Sequence, residues 1–576
     1  MKNLNLCKNY LTLKKYYTII VAMKMRVAYI KRPYKDKVYS YPFLVSSYRD
    51  KNGVARNKTI MKLSNLPEHA VCALDVALCS GEAVQMVPRQ SIKFYDAIPF
   101  GDIWAVFRLA ENLGIIETFN QFPEEHRIAT IAMIIDRVIN PNPYSKRALA
   151  DSYKESAIAR IMNNPSLPPL HEWYRSLETL YINQMGIQKR LYSESTDKVF
   201  LYDITSSYFE GKCCPLAAFG HNRDGKKGKM QIIIGLLTTS CGRPVAVRVL
   251  EGNTADQSTV MDQIKQLRDD FGVKEMIFVG DRGMITHKRI EDIINGDYKW
   301  LDYITALKRS EMMSCVEDEN HPIQLGLFDT QNLTEVTDGG KRYVLCHNPL
   351  REDEDAFTRN RLLDKTEAKL QSITDNVCKG RLKDKDKVAH RLYRWLNRWG
   401  MERFFKVEYD HGYFNFQRNK DEIERYSRLD GCYVIVTSLS KDRMETAEVR
   451  ARYKELKQVE KAFRSMKTAD LFVRPIRHWN PDRVRGHVFM CMLAYLIVWE
   501  ARRRLDDMLQ RDPDTRQCDG KSLREIWKTL RRISIGYINI PGQQIEQIST
   551  INDHQSKILK KLGVSLDKKA RKRLSL

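Results

Sequence analysis

At 576 residues the chain is too long for one simple core, and at about 100–200 residues per domain it suggests three or four units. Its 96 Lys and Arg against 72 Asp and Glu give a formal charge of +24, an excess that favours a polyanionic partner such as nucleic acid but names no reaction. Twelve scattered cysteines with no CxxC pair argue against a zinc knuckle or a disulfide framework and fit a reducing cytoplasm.

In chain order, Tyr16 to Met23 is apolar but short, lacks a small-residue cleavage site and runs into Lys24 and Arg26. Residues 1–25 therefore read as a structureless N-terminus without a signal peptide. Residues 26–67 read as a small β unit: Tyr39 to Tyr48 is β-branched and aromatic, and a turn at Asp50 to Gly53 precedes Lys58 to Leu63. Tyr39 and Tyr41 suit either core packing or a DNA contact, core packing being the commoner use. Residues 68–195 read as helical, with Ile103, Val106, Phe107, Leu109 and Leu113 at helical spacing and Pro141 and Pro143 as punctuation.

At Lys198 the pattern changes. Strands are predicted at Val199 to Ile204, Gln231 to Thr238 and Pro244 to Leu250, with Gly242 at the second turn. A helix over Asp256 to Asp270, a strand at Met276 to Gly280, a short helix around His287 to Ile294 and a strand at Tyr303 to Leu307 follow. This β-β-β-α-β-α-β order builds an α/β fold, a mixed sheet flanked by helices with a ribonuclease-H-like layout, over residues 196–308. Residues 309–440 are expected to interrupt it as a mainly β insertion domain, with strands at Arg342 to Cys346 and Phe404 to Tyr409 and a basic helical stretch from Arg381 to Arg398. The core resumes over 441–500: Gly431 to Thr437 closes the sheet and one long helix runs from Thr446 to Thr468. The rest, including 501–576, reads as basic and helical. The twelve-residue apolar run Val488 to Trp499 is short of the roughly 20 residues that span a bilayer, so a buried helix and no membrane segment are expected.

Asp203, in Leu-Tyr-Asp-Ile-Thr-Ser-Ser, is expected at the end of the first strand, and Asp281 follows the fourth in Phe-Val-Gly-Asp-Arg-Gly. On neighbouring parallel strands their carboxylates emerge side by side, where mutual repulsion is relieved by a cation, Mg²⁺ being the natural occupant. A third carboxylate, for two hard ions at a phosphodiester, comes from Glu460. Tyr453, Glu460 and Lys467 recur every seven residues along one helix face, with Leu456 and Arg464 four residues either side of Glu460. Taken singly, each has a bland reading: an Asp ending a strand is most often a turn or cap residue, and Glu460 with Arg464 makes a surface ion pair. Arg282 and Arg464 suit phosphate binding or neutralisation of the acids equally well. The basic stretches Lys379 to Lys406 and Lys557 to Arg573 read either as DNA-tracking or as solvated faces.

These motifs, Asp203-Ile-Thr-Ser-Ser, Gly280-Asp-Arg-Gly and Tyr453, Glu460, Lys467, resemble DDE transposases of the bacterial insertion-sequence type with a Tyr-Arg-Glu-Lys motif. Leu250-Glu-Gly-Asn-Thr, Arg428-Leu-Asp-Gly, Tyr433-Val-Ile-Val-Thr and Val473-Arg-Pro-Ile-Arg-His-Trp extend the likeness. The resemblance implies that Asp203, Asp281 and Glu460 bind two Mg²⁺ or Mn²⁺ ions and that Tyr453 and Lys467 touch DNA. It further implies end recognition within residues 1–190, a homodimer bridging two element ends, and double-stranded terminal repeats and target DNA as substrates. Leu456 stands where the family has Arg, with Lys457 or Lys454 as neighbouring replacements. The rival readings are a stand-alone nuclease of the same fold and a relic that binds DNA without cutting it; no GxxxxGK[ST] loop points to an energy-using domain.

Overall fold

The computed structural model describes residues 25–34, 37–80, 93–164, 167–192, 198–220, 224–226, 228–254, 268–269, 271–282, 300–324, 326, 333–382, 384–410, 413–469, 471–509, 522–540 and 543–566. The chain divides into two compact units, Met1–Ala97 with Gly536–Gln547, and Ile98–Ile535 with Ile548–Leu576.

The first unit holds the predicted β structure as three antiparallel strands, β1 (Met25–Tyr34), β2 (Lys37–Arg49) and β3 (Ala55–Lys62). The turn after β2 forms because the Asp50 carboxylate accepts the amides of Asn52 and Val54, both at 3.0 Å, while Gly53 takes φ +78°. The helix Glu68–Ser80 covers one end of the sheet, and the core is Val27, Leu44, Leu63 and Val71. Tyr39 is not part of it: it is exposed, because it lies on the hairpin beyond the stretch the helix covers. Residues 68–195 also include a strand the periodicity did not suggest, β4 (Lys93–Pro99).

The second unit is built on an eight-stranded mixed sheet. Its first five strands are β5 (Val199–Tyr208), β6 (Gln231–Thr239), β7 (Pro244–Glu251), β8 (Met276–Gly280) and β9 (Leu301–Ala306). They lie in the order β9-β8-β5-β6-β7, with β5, β8 and β9 parallel and β6 and β7 antiparallel to their neighbours. This layout is compatible with the ribonuclease-H-like expectation. Gly242 turns β6 into β7 with φ +83°. Phe200, Tyr202 and Ile204 of β5 pack with Phe278, Tyr303 and Val436 in one core. Of the predicted crossover helices, Asp256 to Asp270 lies outside the described residues save 268–269, and His287 to Ile294 lies wholly outside them.

The insertion differs from expectation. Its strands β10 (Leu333–Asp338) and β11 (Lys341–His347) do not form a separate β domain; they extend the main sheet through β14 (Cys432–Thr437), in the order β10-β11-β14-β9. The part that leaves the sheet is chiefly helical: Pro349–Cys378 and Lys385–Arg398 pack with the hairpin β12 (Phe405–Asp410) and β13 (Tyr413–Arg418). Leu363, Leu370, Ile373, Val388 and Phe404 form its own core. Spacings of three, four and seven along Leu363, Leu370, Ile373 and Val377 carry the helical signal, diluted by a charge-rich exterior.

The helix Pro481–Arg504 runs through the interior and packs on Leu170–Ile182, Glu124–Ile139 and β7. Asn480 caps it, accepting the amides of Asp482 and Arg483 at 2.8 and 3.3 Å. At the crossing, a Cβ on Gly486 would lie 1.9 Å from the Leu177 carbonyl oxygen, so only glycine permits this approach. Length and composition would let this helix span a membrane, but 89% of its apolar window is buried inside the protein. The C-terminal region is not all helical: β15 (Ser534–Ile540) and β16 (Gln543–Ile548) form a sheet with β4, while Asp553–Lys561 is the basic helix. The alternation in Ser-Ile-Gly-Tyr-Ile-Asn-Ile was the missed strand signal. Residues 567–576 of the basic tail lie outside the described residues.

Candidate functional site

Asp203 sits within β5 rather than at its end, because β5 runs on to Tyr208. The pairing with β8, however, stops at Tyr202 opposite Gly280, which sets Asp203 level with Asp281 one step further on. Neighbouring strands lie about 4.8 Å apart. Alternation also puts Leu201, Asp203 and Thr205 on the face opposite Phe200, Tyr202 and Ile204. Each acid is fixed locally by the amide of the next residue: Ile204 N donates to Asp203 Oδ1 at 2.8 Å and Arg282 N to Asp281 Oδ1 at 2.7 Å.

The expected single helix is wound in three pieces, Thr446–Lys454, Leu456–Arg464 and a π-helical stretch Ser465–Ala469. Buried Val459, Ala462 and Phe463 hold the middle piece against the sheet, leaving Glu460 exposed. Tyr453 and Glu460 share a face and line one cleft. Lys467 does not, because an i→i+5 winding turns more slowly than an α-helix and the seven-residue return fails. Its side chain is buried instead: Nζ donates to Thr205 Oγ1 at 2.6 Å and to the Ser206 carbonyl, and pairs with Asp224 Oδ1 at 3.1 Å. Arg474 Nη1 lies 2.6 Å from the other Asp224 oxygen, and Tyr208 N donates to that oxygen at 3.1 Å. Burial raises the Asp224 carboxyl, but the two cations outweigh it and hold it below its ordinary range.

The cleft, of about 520 Å³, receives Asp203, Asp281 and Glu460 together. Its cations are Arg282, Arg351, Lys454 and Lys457; Leu456 forms part of the wall, and Arg464 is not among the lining residues. Burial first, and the nearby Asp281 charge next, push the Tyr453 phenol up. Arg351 and Asn348 were missed in the sequence, arriving from the insertion with no motif to mark them, while Tyr433 of β14 stood in a quoted motif but was given no site role. Among the described residues no three His, Cys, Asp or Glu side chains are gathered closely enough to hold a metal. The three carboxylates of the cleft nevertheless offer the all-oxygen donor chemistry that suits Mg²⁺. His478 and His487 stand elsewhere, in a cavity of about 560 Å³ shared with Arg137, Lys146, Arg474 and Arg477. Burial first, and Arg137 next, lower Lys146 there to about 7, and burial lowers His478 to about 3.

A mixed sheet flanked by helices, with acids and cations gathered at one cleft, defines the class of an α/β protein. Comparison with known families matches residues 194–497 to the one described as the transposase DDE domain. That is more than half of the 576 residues, and the chain belongs to this family of DDE transposases. No curated protein matches it.

Proposed function

We propose that this transposase binds the ends of an insertion sequence, hydrolyses phosphodiester bonds there and joins the freed 3′-hydroxyls to target DNA. The observation that carries the reading is the convergence of Asp203, Asp281 and Glu460, from β5, from the end of β8 and from the Leu456–Arg464 helix, on one cleft that also holds four cations. In this reading Asp203, Asp281 and Glu460 would hold two Mg²⁺ or Mn²⁺ ions once drawn together around them, and those ions would supply activation of the attacking oxygen and stabilisation of the leaving one. The Tyr453 hydroxyl stands beside Asp281 and Arg282 on the cleft wall, where it supports the acid from behind the ligand set. Arg282, Arg351, Lys454 and Lys457 attract and align the phosphates, Lys457 standing in for the cation that Leu456 lacks. Arg464, exposed and outside the cleft, serves the DNA further along. Lys467 acts as an internal tether rather than a DNA contact, because its donors are engaged by β5 and Asp224. The active form is a homodimer bridging two ends.

Asp203→Asn tests this. With duplexes carrying the terminal repeats, the variant is expected to lose Mg²⁺-dependent nicking while binding as the wild type does; retained nicking removes Asp203 from the chemistry. Precleaved ends that the wild type fails to join would make it a nuclease instead.

A further inference from the structure

We propose that the outer half of the β1–β2 hairpin, Tyr29–Tyr34 paired with Lys37–Pro42, is a ribbon that lies in the major groove of double-stranded DNA. The inference rests on the DNA-processing reading above and names a surface for it. β3 pairs with β2 from Phe43 onward, and the hydrophobic core ends at Val27 and Leu44. From Tyr29 opposite Pro42 to Tyr34 opposite Lys37 the hairpin is therefore two-stranded, about 17 Å at 3.4 Å per residue.

Both faces of this ribbon meet water. Tyr29 is 54% exposed, Tyr34 66%, Val38 66% and Tyr39 44%. An isolated two-stranded hairpin is only marginally stable, and open apolar edges invite association, so such a ribbon fits a partner that accepts both faces at once. Its charge says which. The paired strand residues 29–34 and 37–42 carry Lys31, Arg32 and Lys37 and no acid. Lys31 and Arg32 are exposed and, as neighbours in a strand, point to opposite faces. A ribbon inserted edge-on thus presents a cation towards each phosphate wall. The major groove, about 12 Å wide, admits a two-stranded ribbon, and the tyrosines on its faces pack against the sugars of the walls.

The test uses the full chain and fluorescence anisotropy with a labelled random-sequence duplex of about 30 bp, roughly three helical turns, from about 50 to 200 mM salt. Lys31→Ala with Arg32→Ala is expected to weaken binding about tenfold or more at low salt and to lower the slope of log affinity against log salt by about 2. Tyr34→Ser with Tyr39→Ser is expected to weaken binding at an unchanged slope, since no counterions are involved. Unchanged thermal unfolding of these surface variants shows that the fold persists. Wild-type binding by both variants overturns the proposal. If Asp203→Asn still abolishes nicking in that case, the transposase reading survives without the ribbon; if the wild type binds no duplex, both fall. If the variants instead dissociate a dimer in the absence of DNA, as read by light scattering, the ribbon is a contact between copies and the proposal is wrong.

Discussion

Replacing Lys467 by Met distinguishes a buried tether from a DNA contact. The pair with Asp224 is enclosed, with side-chain exposures of 11% and 5%. Removing one member of a buried pair typically costs about 3–5 kcal/mol. Here Asp224 keeps Arg474 and the Tyr208 amide, so the expected loss is smaller, about 2–3 kcal/mol. Asp224→Asn in the same background should recover part of it, with a coupling energy of at least about 1 kcal/mol in the double-mutant cycle. The acid dependence follows in sign. The folded Asp224 carboxyl is depressed, so its stabilisation is present above the unfolded carboxyl value of about 3.9 and is lost as pH falls through the lower folded value. Without Lys467 the folded value rises, and this acid sensitivity moves to higher pH. Urea unfolding of wild type and Lys467→Met between about pH 3 and 6 measures both effects. A variant as stable as wild type at neutral pH but weaker on DNA would refute the tether and restore the role suggested by the seven-residue spacing.

Tyr453→Phe removes the hydroxyl beside Asp281 and is expected to lower Mg²⁺-supported cleavage about 10–100-fold with DNA binding retained, measured by nicking and anisotropy side by side. Gly486→Ala sets a methyl against the Leu177 backbone, with neighbours at 1.9, 2.7 and 3.1 Å. Because none of these atoms can swing aside, a loss of at least about 1–3 kcal/mol is expected in thermal or urea unfolding, and an unchanged midpoint would mean the two helices do not cross so closely.

Much of the sheet was legible because strands buried on both faces leave continuous apolar runs: β6 and β8 begin where the sequence placed them, and Met276 to Gly280 matches at both ends. Asp203 and Asp281 were singled out for the same reason, since a carboxylate interrupting or ending such a run stands out. The insertion was misread because Arg342 to Cys346 looks the same whether it starts a new domain or extends the old sheet; pairing with β14, some 90 residues later, decides that, and nothing local records it. Lys467 was assigned to the Glu460 face on α-helical periodicity, and the π-winding over Ser465–Ala469 is set by its packing. Arg351 enters the cleft only through tertiary structure.

The buried helix Pro481–Arg504 also has a consequence for synthesis. Its partners Glu124–Ile139 and Leu170–Ile182 are made about 300 residues earlier, so at about 5–20 residues per second their apolar faces wait roughly 15–60 s on the ribosome for it. The apolar face that closes this core is thus supplied last, so the early helices depend on a segment synthesised near the end of the core for their burial.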